Sequence, residues 1–295
     1  MVSRVFLDKI RSTILSFSKE RAYGRGTHGS NLYVFISMSF RPLLVIAHPG
    51  HELRIWHWVT LNKPLTFILT DGGGANGEAR LDESAQLLSQ AGCERGTWFG
   101  AFADTDVYEM LLKKDGARLA PLVLQLQQAM AASFPAIVIG DMCEGYNPSH
   151  DVCRAMIGAA CELAAAQGFA PKQNLAFPLI GDPMKAWTGR LTPVTTLALD
   201  EAALSEKMAA AQGYEQLRRE LEMALASSGR QAYAQEAFYT PLQERGLDIL
   251  PEEPPFYESY GAKQVSLGKY KHLISYQEHV LPSINSMKKT LGLEA

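Results

Sequence analysis

Apolar stretches alternate with amphipathic helical patterns from Arg41 onwards, and this alternation constrains the fold more than any other feature. The periodicity predicts strands over 42–47, 65–70, 97–101, 136–140, 174–179 and 194–199. It predicts helices over 51–61, 79–91, 116–132, 150–167 and 200–226. Strands and helices in this order form βαβ units, whose mainly parallel sheet is covered by helices on both faces. We therefore predict an α/β protein with a Rossmann-like, three-layer αβα fold.

One edge of this sheet is expected to carry the functional residues. Right-handed crossovers place the carboxyl ends of all parallel strands on the same edge, and open α/β proteins bind their ligands there. His48, Asp71 and Asp141 follow three of the apolar strands, and a loop beyond Asp141 leads to His150. We expect the site to lie at these strand carboxyl ends.

Composition restricts the classes of partner. The chain has 295 residues and a formal net charge of −3, so its charge does not favour nucleic-acid binding. No apolar run approaches the roughly 20 residues that a membrane-spanning helix needs. The four cysteines contain no CxxC pair and are interpreted as reduced thiols, which predicts a cytoplasmic protein. The oligomeric state stays open.

Two boundaries divide the chain. Residues 1–37 are basic, with apolar residues at helical spacing. They are interpreted as a weakly ordered leader, as residues upstream of a true start at Met38, or as an amphipathic helix in weak contact with an anionic membrane surface or a partner. Residues 38–295 are predicted to form a single α/β domain, and its last part, about 251–295, is an aromatic-rich extension after a Pro-rich break.

The aromatic residues of this extension allow two interpretations. They are Phe256, Tyr257, Tyr260, Tyr270 and Tyr276. A helix is predicted from about 266 to 279. The aromatic side chains either anchor the extension on the main domain or form a wall of the substrate cleft, because sugars stack on aromatic faces.

Three histidines are the candidate metal ligands. His48 and His51 flank a Pro-Gly pair where the first strand gives way to a helix, and such a turn can aim both rings at one point. His150 follows a later strand and supplies a third imidazole. Three protein ligands with an open fourth position are typical of catalytic zinc, so zinc is the expected cofactor.

A glycine-rich loop over 72–77 follows the second strand. Such loops can cradle a phosphate through backbone N–H groups, which would favour a nucleotide- or cofactor-binding enzyme. The loop lacks the GxGxxG spacing and a Walker lysine. It is a better candidate for a flexible loop beside a metal, with Asp71 as a polar group of the site. Arg80, one helical turn from Glu83, either forms a surface pair or faces the cleft.

Four separated segments together resemble one family. They are Ala47–Glu52, Thr70–Gly74, Arg80–Glu83 and Glu144–Asp151. Their order and surroundings, over roughly residues 41–215, resemble the LmbE/PIG-L family of zinc-dependent de-N-acetylases. The resemblance implies a metal-dependent hydrolase that removes an N-acetyl group by attack of metal-bound water. The implied partner is a small N-acetylated amino sugar or glycoconjugate.

The resemblance also assigns roles, some of them altered here. His48, His51 and His150 match the metal-ligand positions, although His51 stands where the family has an aspartate. Gly50 stands at the position of the general base, and Asn147 replaces a histidine that helps to stabilise the oxyanion. A neutral imidazole in place of an anionic ligand leaves more positive charge on the metal, which makes bound water more acidic.

The remaining roles are distributed among nearby polar residues. Asn147 is expected to donate a hydrogen bond to the oxyanion, and Asp71, Glu52 or Asp151 to accept the proton. Asp151 or Glu144 is a candidate to orient an imidazole. The predicted substrate-binding residues are Arg80, Gly50 and Gly73. Because both proton-handling positions are altered, the alternative hypothesis is a pseudoenzyme on the same scaffold that binds metal or sugar without turnover.

Overall fold

The computed structural model describes residues 41–74, 77–189, 191–241 and 254–293. The predicted leader, 1–37, and the domain boundary at Met38 lie outside the described residues and stay predictions. In the described part of the chain, no helix is both long and apolar enough to cross a membrane.

Five parallel strands form the central sheet. They are β1 (Leu43–Ile46), β2 (Leu65–Thr70), β3 (Glu94–Phe102), β4 (Ile137–Asp141) and β5 (Gln173–Phe177). Their spatial order is β3-β2-β1-β4-β5. Leu43 of β1 pairs with Leu65 on one side and with Val138 on the other. β1 therefore lies at the centre of the sheet, and its side chains are fully buried.

Helices connect and cover the strands. The α-helices are α1 (Trp56–Asn62), α2 (Leu81–Gln90), α3 (Asp104–Leu112), α4 (Ala120–Ser133), α5 (Pro148–Ala166), α6 (Glu201–Gly213), α7 (Arg218–Ser228), α8 (Phe256–Ser266) and α9 (Leu281–Thr290). Short 3-10 helices span His51–Ile55, Gly116–Leu119, Pro183–Gly189, Glu215–Leu217 and Arg230–Ala234, and Tyr276–Val280 forms one π-helical turn.

The core lies on both faces of the sheet. Val45 belongs to a cluster with Val123 of α4 and Met156 of α5. Neighbouring residues of a strand point to opposite faces, and Leu44 and Ile46 are as completely buried as Val45. Burial on both faces requires helices on both, so the predicted three-layer fold with a mainly parallel sheet is confirmed.

A second, antiparallel sheet departs from the prediction. The strand predicted over 194–199 is present as β6 (Thr195–Ala198), but it lies outside the parallel sheet. It pairs with β7 (Gln235–Phe238), a strand that the sequence analysis missed. The pairing joins segments far apart in sequence, and local periodicity carries no information on such partners.

Two helix predictions also need correction. The single helix predicted over 200–226 is broken at Tyr214, which is fully buried and donates its hydroxyl to the carbonyl of Arg80 (2.7 Å). The helix predicted from 266 to 279 is wrong, because α8 ends at Ser266 and the next helical turn starts at Tyr276. Helices α3, α8 and α9 were not predicted.

The strand order creates a switch point beside β1. The chain proceeds from β1 outward through β2 and β3, and then from β4 outward to β5 on the other side. At such a point the connections diverge and leave a crevice at the carboxyl ends of the two central strands. His48 and His51 follow β1, and His150 lies beyond β4, so the topology directs all three histidines toward this crevice.

Candidate metal centre

The turn after β1 is held by hydrogen bonds to a buried carboxylate. Gly50 adopts φ 98°, in the left-handed region that favours glycine. Its N–H lies 2.8 Å from Glu52 Oε2 and 3.0 Å from Ser84 Oγ, and the Ser84 hydroxyl donates to Glu52 Oε1. The chain therefore reverses direction between His48 and His51.

His150 is positioned by the start of helix α5. Asn147 is the N-cap residue, and its Oδ1 accepts a hydrogen bond from the Ser149 N–H (2.8 Å). Pro148 occupies the first helical position, where proline is favoured. His150 follows in the first turn, 5% exposed. A capping signal in the sequence thus fixes where this imidazole enters the site.

The three rings form a compact triangle. Ring centroids are 5.2 Å apart for His48 and His51, 5.0 Å for His48 and His150, and 4.7 Å for His51 and His150. Three imidazoles that bind one zinc ion tetrahedrally at about 2.0–2.1 Å place their ring centroids about 5 Å apart. The spacing of the rings therefore matches that of a three-histidine zinc site.

Hydrogen bonds on His48 leave its second nitrogen available. His48 Nδ1 lies 2.7 Å from Thr70 Oγ1 and 3.0 Å from Asp104 Oδ1. A carboxylate accepts only, and the Thr70 hydroxyl donates to the Ala47 carbonyl (3.1 Å), so Nδ1 carries the proton. Nε2 then holds the lone pair, and it is buried without a hydrogen-bond partner in the described structure.

His51 follows the same logic, whereas His150 has no such partner on Nδ1 among the described residues. His51 Nδ1 lies 2.9 Å from Asp141 Oδ2, an oxygen that also accepts the Ala47 N–H (2.7 Å). The proton on Nδ1 leaves the lone pair on Nε2. The Nδ1 of His150 is buried and has no partner among the described residues. Carboxylates that hold the far nitrogen of a histidine are the usual outer partners of metal sites.

The electrostatics favour neutral imidazoles at His51 and His150. Burial lowers the pKa of His51, although the Asp141 carboxylate acts in the opposite direction. Burial also lowers the pKa of His150 well below its ordinary value, and the neighbouring His51 and His48 add to this effect. Neutral imidazole is the form that binds metals.

The imidazole donors and the spacing of their rings fit a metal ion, but the side chains do not form a complete coordination site as they stand. In the ranges that the structure describes, no group of three or more His, Cys, Asp or Glu side chains is arranged to hold an ion as it stands. The two buried nitrogens without partners, His48 Nε2 and His150 Nδ1, are the observation in favour of the fit. The metal ligands predicted from the sequence therefore converge, while coordination stays a prediction.

The sequence analysis missed the part played by Asp104 and Asp141. They are the carboxylates in contact with His48 and His51, and both are buried. Each follows the rule that placed the histidines, because Asp141 ends β4 and Asp104 comes two residues after β3. An Asp at such a position was the signal that could have identified them.

The predicted proton acceptors make hydrogen bonds to backbone N–H groups. Glu52 holds the turn at Gly50, as described above. Asp71 Oδ1 accepts from the N–H groups of Gly73 (2.9 Å) and Asp104 (3.2 Å). Asp151 Oδ1 accepts from the N–H of Gly145 (3.3 Å), and burial raises the Asp151 pKa to about 7. The roles of these carboxylates stay predictions.

The other predicted residues occupy distinct positions around the rings. Asn147 Nδ2 lies 3.4 Å from Tyr108 Oη. Arg80 has its Nε buried without a partner among the described residues, and its charge contributes to lowering the pKa of His51. Gly50 faces Leu217, whose Cδ1 a β-carbon at position 50 would overlap. Gly73 belongs to the turn closed by Asp71.

The first three glycines of the glycine-rich loop, which the structure describes, use their N–H groups within the protein. The N–H groups of Gly72, Gly73 and Gly74 donate to Thr70 Oγ1 (3.3 Å), Asp71 Oδ1 (2.9 Å) and Asp104 Oδ2 (2.7 Å). The next residues, 75–76, lie outside the described chain. Donors that already serve protein acceptors argue against the nucleotide-binding alternative.

Comparison with known proteins gives a distant structural likeness. No protein-family profile and no curated protein matches the chain. Among solved structures, the zinc-inhibited form of teicoplanin deacetylase Orf2 is similar, with a TM-score of 0.41 and 11% sequence identity over 67% of this chain and 97% of that chain. Relationship to the LmbE/PIG-L family accordingly stays a prediction from the four sequence segments.

Proposed function

We propose that this chain is a metal-dependent hydrolase, with zinc held by His48, His51 and His150. The single observation that carries the proposal is the ring triangle at the switch point, with centroid separations of 4.7–5.2 Å. Two strand-end turns far apart in sequence build it. Burial of ring nitrogens without partners is unfavourable unless a ligand satisfies them.

Residues of the chain would prepare the ligands for zinc. Asp141 Oδ2 and Thr70 Oγ1 accept the Nδ1 protons of His51 and His48, and Asp104 Oδ1 lies 3.0 Å from the same His48 nitrogen. The Nε2 lone pairs of both rings would then be available to zinc. Zinc bound by these three residues would supply a Lewis acid for a carbonyl and would lower the pKa of bound water to about 7.

Two further side chains are proposed to act on the substrate. Asn147 Nδ2 carries two hydrogens and has one assigned partner, Tyr108, so one N–H can stabilise negative charge on a substrate oxygen. The guanidinium of Arg80 lies close enough to His51 to affect its pKa, and would orient a polar or anionic substrate group.

The substrate class rests on the four sequence segments that resemble the LmbE/PIG-L family. The proposed reaction is hydrolysis of the N-acetyl amide of an amino sugar or glycoconjugate. Acetate and a free amine are the products of this hydrolysis.

Elemental analysis of the purified full-length protein tests the metal first. We expect about one zinc per chain, and a large loss in His150→Ala. His57→Ala is the matched control, because His57 lies in α1 and its hydrogen bonds to Glu236 and Thr60 use backbone atoms, which the substitution keeps. Release of acetate from N-acetylglucosamine compounds tests the reaction. Zinc-free wild-type protein that releases no acetate after zinc is added contradicts the proposal.

A second candidate function is metal or sugar binding without turnover. The observation that favours it is the engagement of Glu52 and Asp71 with backbone N–H groups, which occupies the carboxylate oxygens that would otherwise accept a proton from the reaction. This candidate gives stoichiometric zinc, dependent on His150, with no acetate release at any pH. The hydrolase proposal predicts both stoichiometric zinc and acetate release.

A further inference from the structure

Exposed aromatic side chains form a continuous row beside the loop that leads into α5, the helix that carries His150. Tyr146 and Phe256 are stacked, with ring centroids 4.9 Å apart and an interplanar angle of 3°. Phe256 and Tyr260 are stacked at 5.8 Å and 22°, and Tyr260 meets Tyr270 edge to face at 6.4 Å. These four residues are called the aromatic row below.

The aromatic row is exposed although its rings pack against each other. Relative exposures are 42% for Tyr146, 46% for Phe256, 45% for Tyr260 and 42% for Tyr270. Side chains that only anchored the extension would be buried against the domain, as Tyr257 is (7% exposed). Large exposed apolar patches of this kind usually mark binding sites.

The row is tied to the candidate metal centre through the chain itself. Tyr146 directly precedes Asn147, the N-cap of the helix that carries His150. Helix α8, which supplies Phe256 and Tyr260, is attached to the same loop by a hydrogen bond from the Tyr257 N–H to the Gly145 carbonyl (3.3 Å). The row therefore borders the site.

We propose that the aromatic row binds a sugar ring that adjoins the N-acylated unit. The substrate is then a glycan or glycoconjugate with more than one sugar, an inference that rests on the proposed function. The faces of aromatic rings carry negative charge, and the C–H groups of a pyranose ring are weakly positive, so the two stack. Tyrosine adds a hydroxyl that can pair with sugar hydroxyls, and three of the four rings are tyrosines.

Binding to a graded set of glycans tests the proposal. The probes are N-acetylglucosamine and its β-1,4-linked dimer and tetramer, titrated by calorimetry into full-length protein carrying His150→Ala to prevent turnover. We expect the tetramer to bind about tenfold more tightly than the monosaccharide. Adding Tyr146→Ala should weaken tetramer binding roughly three- to tenfold and leave the monosaccharide unchanged.

Three further variants distinguish the loss of ring stacking on the sugar from a general effect on the fold. Tyr146→Phe keeps the ring and should retain most of the tetramer affinity, whereas Tyr260→Ala should lower it. Phe134→Ala is the matched control, because Phe134 is 42% exposed at the C-terminal end of α4 and packs on Phe169 instead. Equal binding of tetramer and monosaccharide, or a Tyr146→Ala variant that binds like its parent, overturns the proposal. Binding of phosphatidylglycerol vesicles through Tyr146 without glycan binding also overturns it.

Failure of this inference can be distinguished from failure of the proposed function. If the protein binds zinc and releases acetate from the monosaccharide but shows no preference for the tetramer, only the proposal of an aromatic subsite is refuted. If tetramer binding depends on Tyr146 but the wild-type protein neither binds zinc nor releases acetate, the hydrolase proposal is refuted. The proposal of a sugar-binding site then stands.

Discussion

His48 and His150 lie with their ring centroids 5.0 Å apart, and each has one buried ring nitrogen without a hydrogen-bond partner in the described structure. An unsatisfied buried polar group costs about 1–3 kcal/mol. The two residues come from opposite sides of the switch point between β1 and β4. A cation between them would offset this cost, which makes the pair the most direct reason to measure bound metal.

Asp104→Asn is expected to weaken zinc binding about 10- to 100-fold, because outer carboxylates have effects of this size on metal sites. Asp104 Oδ1 lies 3.0 Å from His48 Nδ1, and an amide there accepts more weakly or presents its NH₂ group to the ring. Competition with a chromogenic chelator measures the dissociation constant. Asp106→Asn, exposed in the first turn of the same helix, serves as the control. Equal zinc affinity in both variants would contradict the role given to Asp104.

Gly50→Ala is expected to destabilise the fold by about 1–3 kcal/mol. The residue would have to keep φ at 98°, and its β-carbon would overlap Leu217 Cδ1. Urea denaturation measures the change. Gly229→Ala is the control for strain alone, since Gly229 has φ 73° with open space around the added carbon.

The overlap with Leu217 can be isolated in a double-mutant cycle. Adding Leu217→Ala to Gly50→Ala should recover part of the lost free energy of unfolding, because it removes the overlap but not the backbone strain. Strict additivity of the two substitutions would exclude contact between positions 50 and 217.

The contribution of Glu144 to the free energy of unfolding is expected to fall as the pH rises from about 4.5 to 7. Burial raises the pKa of Glu144 to about 7, whereas an ordinary glutamate titrates near 4.5. Between these values the folded state holds a proton that the unfolded chain has released, so rising pH favours unfolding. Glu144→Gln should flatten this pH dependence and keep an acceptor for the Leu179 N–H. Glu206→Gln, on the exposed face of α6, should not, and identical slopes in the two variants would refute the assignment.

Lys207→Met is expected to cost about 3–5 kcal/mol of stability, because it leaves a buried carboxylate without its counter-charge. Lys207 Nζ donates to Glu236 Oε1 (2.8 Å), and the same carboxylate accepts the N–H groups of His57 (2.9 Å) and Trp58 (2.8 Å) at the start of α1. Combining it with Glu236→Gln removes the unpaired charge and should restore part of the loss. Urea denaturation of Lys207→Met, Glu236→Gln and the double variant measures these changes. A double variant less stable than Lys207→Met would contradict the prediction.

The central sheet was predictable because its signals are local. Apolar runs such as Leu43–Ile46 are buried on both faces, and burial on both faces produces the continuous apolar pattern that the sequence displays. Handedness of the crossovers then places His48 and Asp141 on the same edge without further information.

The breaks in the pattern were not predictable in the same way. The helix predicted over 200–226 divides at Tyr214 because that ring is buried near Ser84 and Arg80, residues of a distant segment. Strand β6 is in a separate sheet because its partner, β7, comes from residues 235–238. No pattern within either segment encodes a partner of this kind.

The sequence by itself determined the layered α/β architecture and which histidines stand at strand ends, since both depend on periodicity and handedness. Only the tertiary structure decided that the three rings lie about 5 Å apart, that Asp104 and Asp141 hold two of them, and that Leu217 fills the space beside Gly50. These are contacts between segments brought together by folding, and their geometry depends on the packing of the whole domain rather than on any local run of residues.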